Sequence, residues 1–212
     1  MSPEGDRASS GVRTGAQGTR APSRGEPEPE PEPPPSGVAS TVSGGLIVEV
    51  VRLGGDWSAI EPVERLVAGV AAALEAEVDL GEAVVTATLA LSSDPHVRDL
   101  NRTHRGQDKP TNVLSFPAPA IERAAGEPDF LGDVVVGVET LKREAADEGK
   151  TLADHFQHLV LHGLLHLAGY DHENEDDARE MEAVEVAALA RLAIADPYQQ
   201  QPPTEEQTPG NG

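Results

Sequence analysis

The chain carries no sustained apolar pattern through its first 44 residues, and thereafter apolar positions recur with two different periods. Residues 46–53 alternate enough for a strand, and 83–91, rich in valine and threonine, read as a second. Between them, 61–74 places Val63, Leu66, Val67, Val70 and Leu74 at helical spacing. Asp94-Pro95 supplies an N-cap and a first-turn proline for a short helix running to about residue 102. Two further strands are predicted at 111–116 and 131–138, then a helix over 139–148 that breaks at Gly149. Thr151-Leu-Ala-Asp154 resembles a capping box and opens a helix with Phe156, Leu159, Val160 and Leu164 on its inner side. The last helix spans 176–192, with Ala178, Met181, Val184, Ala188 and Leu192 as its inner stripe and Met181 a core residue. Alternating strands and helices of this kind imply a mixed α/β plan.

Composition divides the 212 residues into three parts. Residues 1–44 include a Pro/Glu alternation at 26–36 that cannot bury a core and is expected to be a disordered arm. Residues 45–196 form one domain of ordinary size, and 197–212, rich in Gln, Pro and Glu, read as a disordered tail. The arm lacks the apolar stretch of a signal peptide, and no later segment reaches the length of a membrane span. With no cysteine a disulfide framework is excluded, which is compatible with a cytoplasmic location.

Charge sets a second condition. The formal net charge is −21, and 45–196 alone holds 12 basic against 29 acidic side chains. Such a chain repels nucleic acid at long range, so any contact with it must come from a local basic patch or a partner. Arg98, Arg102, Arg105 and Lys109 form one candidate patch, opposed by Asp99 and Asp108.

The chemistry concentrates in His162-Gly-Leu-Leu-His166-Leu-Ala-Gly169-Tyr-Asp-His172. His162 and His166 are four apart and share a helix face. Gly169 can end that helix in a left-handed turn that brings His172 back toward the pair. Three converging imidazoles make an open zinc site whose fourth position is left for water, a water that loses its proton near neutral pH. The run also matches the long zinc-protease signature H-E-x-x-H-x-x-G-x-x-H except at Gly163, where a protease keeps its general-base glutamate. Glycine can neither take a proton from water nor return one to a leaving amine, which weighs against peptide hydrolysis. His158, four before His162, could orient a ligand, belong to the core or lie at the surface, and His155 is expected to be solvated.

Three ordered segments carry a resemblance. Leu100-Asn-Arg-Thr-His-Arg105-Gly-Gln-Asp-Lys-Pro110-Thr-Asn-Val-Leu-Ser-Phe116-Pro, Leu131-Gly-Asp133 and the histidine run together resemble the YbeY-type rRNA maturation factors, over about 46–192. The resemblance implies an α/β (α+β) fold, with a small mixed sheet packed with helices. The zinc site would sit on a helix-plus-turn near the C-terminal end of the domain. It implies a single-strand-specific, metal-dependent endoribonuclease acting in 16S rRNA 3′-end maturation and ribosome quality control. The zinc ligands, one ion per chain, would be His162, His166 and His172, and Arg105 matches the functional arginine of the L-N-x-x-x-R segment. The implied partners are single-stranded rRNA precursor and the small ribosomal subunit or its assembly proteins. The acidic excess and the Pro/Glu arm are not part of the family pattern.

In chemical terms, Arg105 could hold a phosphate oxygen through its planar fork, or merely pair with Asp99 or Asp108 at the surface. Asp171 and Asp133 could orient an imidazole or only satisfy local backbone donors. Two other readings stay open. A zinc peptidase-like hydrolase would need a base from Asp171, Asp133 or Glu173, and a non-catalytic assembly factor would need a fourth protein ligand to close the site.

Overall fold

The computed structural model describes residues 38–60, 62–119 and 128–198. The Pro/Glu run at 26–36 and the tail beyond residue 198 lie outside the described residues.

Five strands form one sheet in the order β1-β2-β3-β5-β4: β1 (Val38–Ser43), β2 (Leu46–Arg52), β3 (Val85–Ser92), β4 (Val113–Pro117) and β5 (Asp129–Gly137). The helices are α1 (Val63–Glu75), α2 (Asp94–Arg105), α3 (Val138–Asp147), α4 (Leu152–Leu167) and α5 (Glu175–Arg191). β2, β3 and β5 run parallel in the middle, and β1 and β4 pair antiparallel at the two edges. The sheet is therefore mixed, as expected.

β1 corrects the boundary placed at residue 44, because the sheet begins at Val38. Val38-Ala-Ser-Thr-Val-Ser43 pairs with β2 across a Gly44-Gly45 turn in which Gly44 adopts a φ of +52°. The Glu75 carboxylate, at the end of α1, accepts from the Gly45 and Leu46 amides at 2.6 and 2.8 Å. The partners that hold this strand come from β2 and α1. None of them lies inside the short, weakly apolar run itself.

Alternation along the strands gives the sheet two different faces. Leu46, Val48 and Val50 of β2, Leu89 and Leu91 of β3, and Val134 and Val136 of β5 form the main core with α1, α4 and α5. Ala90, Val97, Leu114 and Val135 make a smaller cluster under α2 on the other side. α4 is buried along most of its surface, including Phe156, Val160, Leu164 and Leu165. Its start is as expected: the Thr151 hydroxyl accepts from the Asp154 amide at 3.0 Å.

Two local expectations fail. Asp94 is not the N-cap of α2; Ser93 occupies that place. The Asp94 carboxylate instead accepts from the Thr140 amide (3.0 Å) and hydroxyl (2.8 Å) in the first turn of α3, while Glu139 accepts from the Asp94 amide at 2.7 Å. Each helix start offers unpaired amides, and each acid serves the neighbouring helix rather than its own. His155 is not solvated but 3% exposed, its Nε2 3.1 Å from Glu144 Oε2, because α3 covers that side of α4. Among the described residues, no helix is long and apolar enough to cross a membrane.

Candidate metal centre

α4 ends in the turn that its glycine allows. Gly169 takes a φ of +97°, its amide donates to His166 O at 3.1 Å, and the Tyr170 amide donates to Leu165 O at 3.0 Å. These are the paired bonds of a Schellman motif, and they reverse the chain directly beyond the second histidine. His172 then stands over the pair, its ring centroid 5.6 Å from that of His162 and 5.0 Å from that of His166. One ring nitrogen from each of His162, His166 and His172 lies within 4.8 Å of the others, so the three could hold a metal ion. Among the described residues, no further histidine or carboxylate joins that group.

The outward nitrogens decide what the inward ones can do. His162 Nδ1 lies 3.1 Å from Glu185 Oε1, and His166 Nδ1 lies 3.0 Å from the Tyr170 carbonyl oxygen. An ionised carboxylate and a carbonyl only accept, so each Nδ1 carries a proton, and in the neutral ring Nε2 is then a bare lone pair. Those two Nε2 atoms face one another at 3.2 Å. Two lone pairs set that way repel, whereas tetrahedral zinc with bonds of about 2.05 Å spaces its ligand nitrogens about 3.3 Å apart. The donor set, its tautomers and its spacing all fit a divalent cation.

Behind the trio lies a residue that the sequence reading did not single out. Glu185 of α5 is fully buried, and its Oε1 is also 3.4 Å from His158 Nε2. Its Oε2 accepts from the Tyr198 hydroxyl. Burial alone would raise this carboxyl, but hydrogen bonds from His158, His162 and Tyr198 outweigh it and hold the group well below the usual carboxylate range. The Tyr198 phenol moves the other way, pushed up by burial and by the carboxylate it serves. His166 is held below its ordinary value, first by desolvation and then by the neighbouring His162 ring, beside which a second positive charge is disfavoured. The residues that α5 buries are Met181, Glu185, Ala188 and Leu189, so its inner stripe is rotated from the expected one, in which Val184 and Leu192 took part. An acid at Met181 plus four, on the face predicted to be inward, was the signal available. Tyr198, which falls within the tail expected from 197, is tied to this carboxylate.

Arg105 arrives from a separate element. It is the last residue of α2, and its Nη2 reaches over the β4 edge to the Ser115 carbonyl at 3.4 Å. The acids that competed for it are taken elsewhere: Asp108 by Arg98 in two bonds of 2.8 Å, and Asp99 by Arg102 at 2.9 Å. Arg105, Ser115, His166, Tyr170, Asp171 and His172 line one cleft of about 450 Å³. Asp171 mainly serves its own turn, accepting from the His172 amide at 2.7 Å, and stands 4.0 Å from His166 Nδ1. Asp133 is on the opposite sheet face, beside Val135 and Phe116 in the hollow next to α2. His96 and His104 line the same hollow, and Asp133 takes no part in the cleft that holds His166 and His172.

Gly163 has a packing reason. A Cβ there would stand 2.6 Å from Val134 Cγ1 and 3.2 Å from Ser115 Oγ. The α4 backbone rests against β4 and β5 at this point, where Ser115 Oγ donates to Gly163 O at 3.3 Å. A glutamate side chain has no space here.

The family profile and the curated relatives agree on one family. The profile described as endoribonuclease YbeY matches residues 57–193. A protein named endoribonuclease YbeY from Paramagnetospirillum magneticum is 54% identical over 127 residues, covering 58% of this chain and 77% of that protein. One of the same name from Rhodospirillum rubrum is 49% identical over 164 residues, covering 70% and 82%. A solution structure of a Thermotoga maritima protein shares 24% identity with a TM-score of 0.44, over 72% of this chain and 99% of that one.

Proposed function

Because the chain belongs to the endoribonuclease YbeY family, we propose that it cuts single-stranded RNA at a zinc centre made by His162, His166 and His172, in the maturation of the 16S rRNA 3′ end and in ribosome quality control. Its activity is that of an endoribonuclease in rRNA processing, a hydrolase acting on phosphodiester bonds. One observation carries the zinc and RNA reading: a guanidinium without a carboxylate partner among the described residues shares a single cleft with His166 and His172, two of the three converging imidazoles.

Zinc held by the trio supplies Lewis acidity toward phosphate oxygens and water. The protein's own groups do the rest. Arg105 binds a non-bridging phosphate oxygen and offsets charge that builds on it during cleavage. The exposed β4 edge and the turn at 169–173 flank the scissile phosphate. An unpaired strand fits such a cleft because its backbone can bend to present one phosphate to it. In the cell the enzyme works in the cytoplasm, against the small ribosomal subunit or its assembly proteins. Those partners supply the positive charge that an acidic domain lacks.

The packing at Gly163 favours this reading over a peptidase, since the position of the protease base is filled by β5. The absence of a fourth protein ligand among the described residues favours an open centre over a structural one.

Cleavage of a single-stranded RNA by zinc-loaded protein tests the proposal. His166→Ala should abolish it, and Arg105→Ala should lower the rate by about a hundredfold, as loss of one charge-stabilising donor typically does. Equal cleavage by all three proteins would assign the activity to a contaminating nuclease and overturn the reading.

A further inference from the structure

A carboxylate with no exposure to solvent is costly unless its charge is matched. Glu185 receives three hydrogen bonds, from His158, His162 and Tyr198, none of them from a permanently charged group. Neutral donors satisfy its lone pairs and leave its charge standing beside the metal-binding trio. The same carboxylate fixes which nitrogen of His162 faces inward. A cation bound by the three histidines would supply the missing positive charge, at the one place where the ring that Glu185 holds already points.

We propose that Glu185 is the positioning residue of the metal centre and that Tyr198 holds it in place, so that the segment beyond α5 takes part in metal binding. Glu185 keeps His162 in the Nδ1–H tautomer, orients its ring and strengthens Nε2 as a donor, the part that an outer carboxylate commonly plays for a ligating histidine. Tyr198 holds the far carboxylate oxygen, so Glu185 cannot rotate away from His162 when the centre is empty. It lies outside the 57–193 stretch matched by the family profile.

The proposal rests on the reading of the trio as a zinc site, and one experiment separates the two. Zinc affinity is measured by competition with a chromophoric chelator for the full chain and for His166→Ala, Glu185→Gln and Tyr198→Phe, with the melting temperature of each metal-free protein recorded beside it. His166→Ala should lose zinc altogether. Glu185→Gln should bind about ten- to a hundredfold more weakly, the usual loss when an outer partner is removed. Tyr198→Phe should fall less, at an unchanged metal-free melting temperature, which a purely structural contact would not produce. Wild-type affinity in both variants, with His166→Ala still defective, overturns the positioning role and leaves the zinc site standing. Failure of the unaltered chain to bind zinc overturns both. Should Glu185→Gln not fold, Tyr198→Phe decides the matter alone, weaker binding supporting the proposal and equal binding overturning it.

Discussion

Each imidazole of the pair on α4 is governed by the nitrogen that faces away from the cleft. His162 is set by a carboxylate and His166 by a turn carbonyl. Desolvation and the neighbouring His162 hold the His166 ring below its ordinary value of 6.5. The sign follows from linkage: near and below that value the unfolded chain takes up a proton that the folded, metal-free chain resists. Stability of the metal-free protein should therefore fall as pH drops from about 6.5 toward the lower folded value, and stay flat above. Thermal unfolding in chelator between pH 8 and 5 reads this directly, and a melting temperature that holds level across pH 6.5 would refute it. At this scale the convergence of the three histidines was legible, because a four-residue helical step and a glycine turn are local geometry. Glu185 was not. Its helix period was visible in the sequence, but nothing local says that α5 stands behind α4 with that residue facing the histidines.

Elements were legible where they are self-contained. Most helices and strands fall within two or three residues of expectation, since a run of apolar residues at one period needs no distant partner to be recognised. β1 and the crossed caps of α2 and α3 escaped for the opposite reason, each being held by groups far away in sequence. The contact of α4 with the sheet is another long-range fact, expressed in Gly163. Alanine there would gain roughly 1 kcal/mol of helix propensity, but its methyl group would press on Val134, and overpacking of this kind costs about 1–3 kcal/mol. Gly163→Ala should thus be destabilising by about 1 kcal/mol, with slower RNA cleavage as α4 lifts from β4. Denaturant midpoints with an unchanged slope would measure the first effect. A more stable variant would mean that Val134 gives way freely.

For the whole molecule, a net charge of −21 has to coexist with an anionic substrate. Local pairing makes this harder, since Arg98 and Arg102 already hold Asp108 and Asp99. Few cations remain to displace counterions from RNA. If Arg105 and Lys109 are the contacts, log affinity for a single strand should fall against log salt with a slope of only about −1.4. Anisotropy titrations across salt give that slope, and a value near −4 would mean that many more basic groups reach the strand. The mixed α/β plan followed from the order of elements, whereas the placing of α2 on the sheet face opposite α1, α4 and α5, and the contact of the last segment with Glu185, did not. That contact gives the enzyme a chronology. During translation the three histidines emerge before Glu185, and Glu185 before Tyr198. On the proposed roles, the growing chain holds its metal-binding histidines early and the residues that position them late, so the centre is complete only once the last segment has emerged.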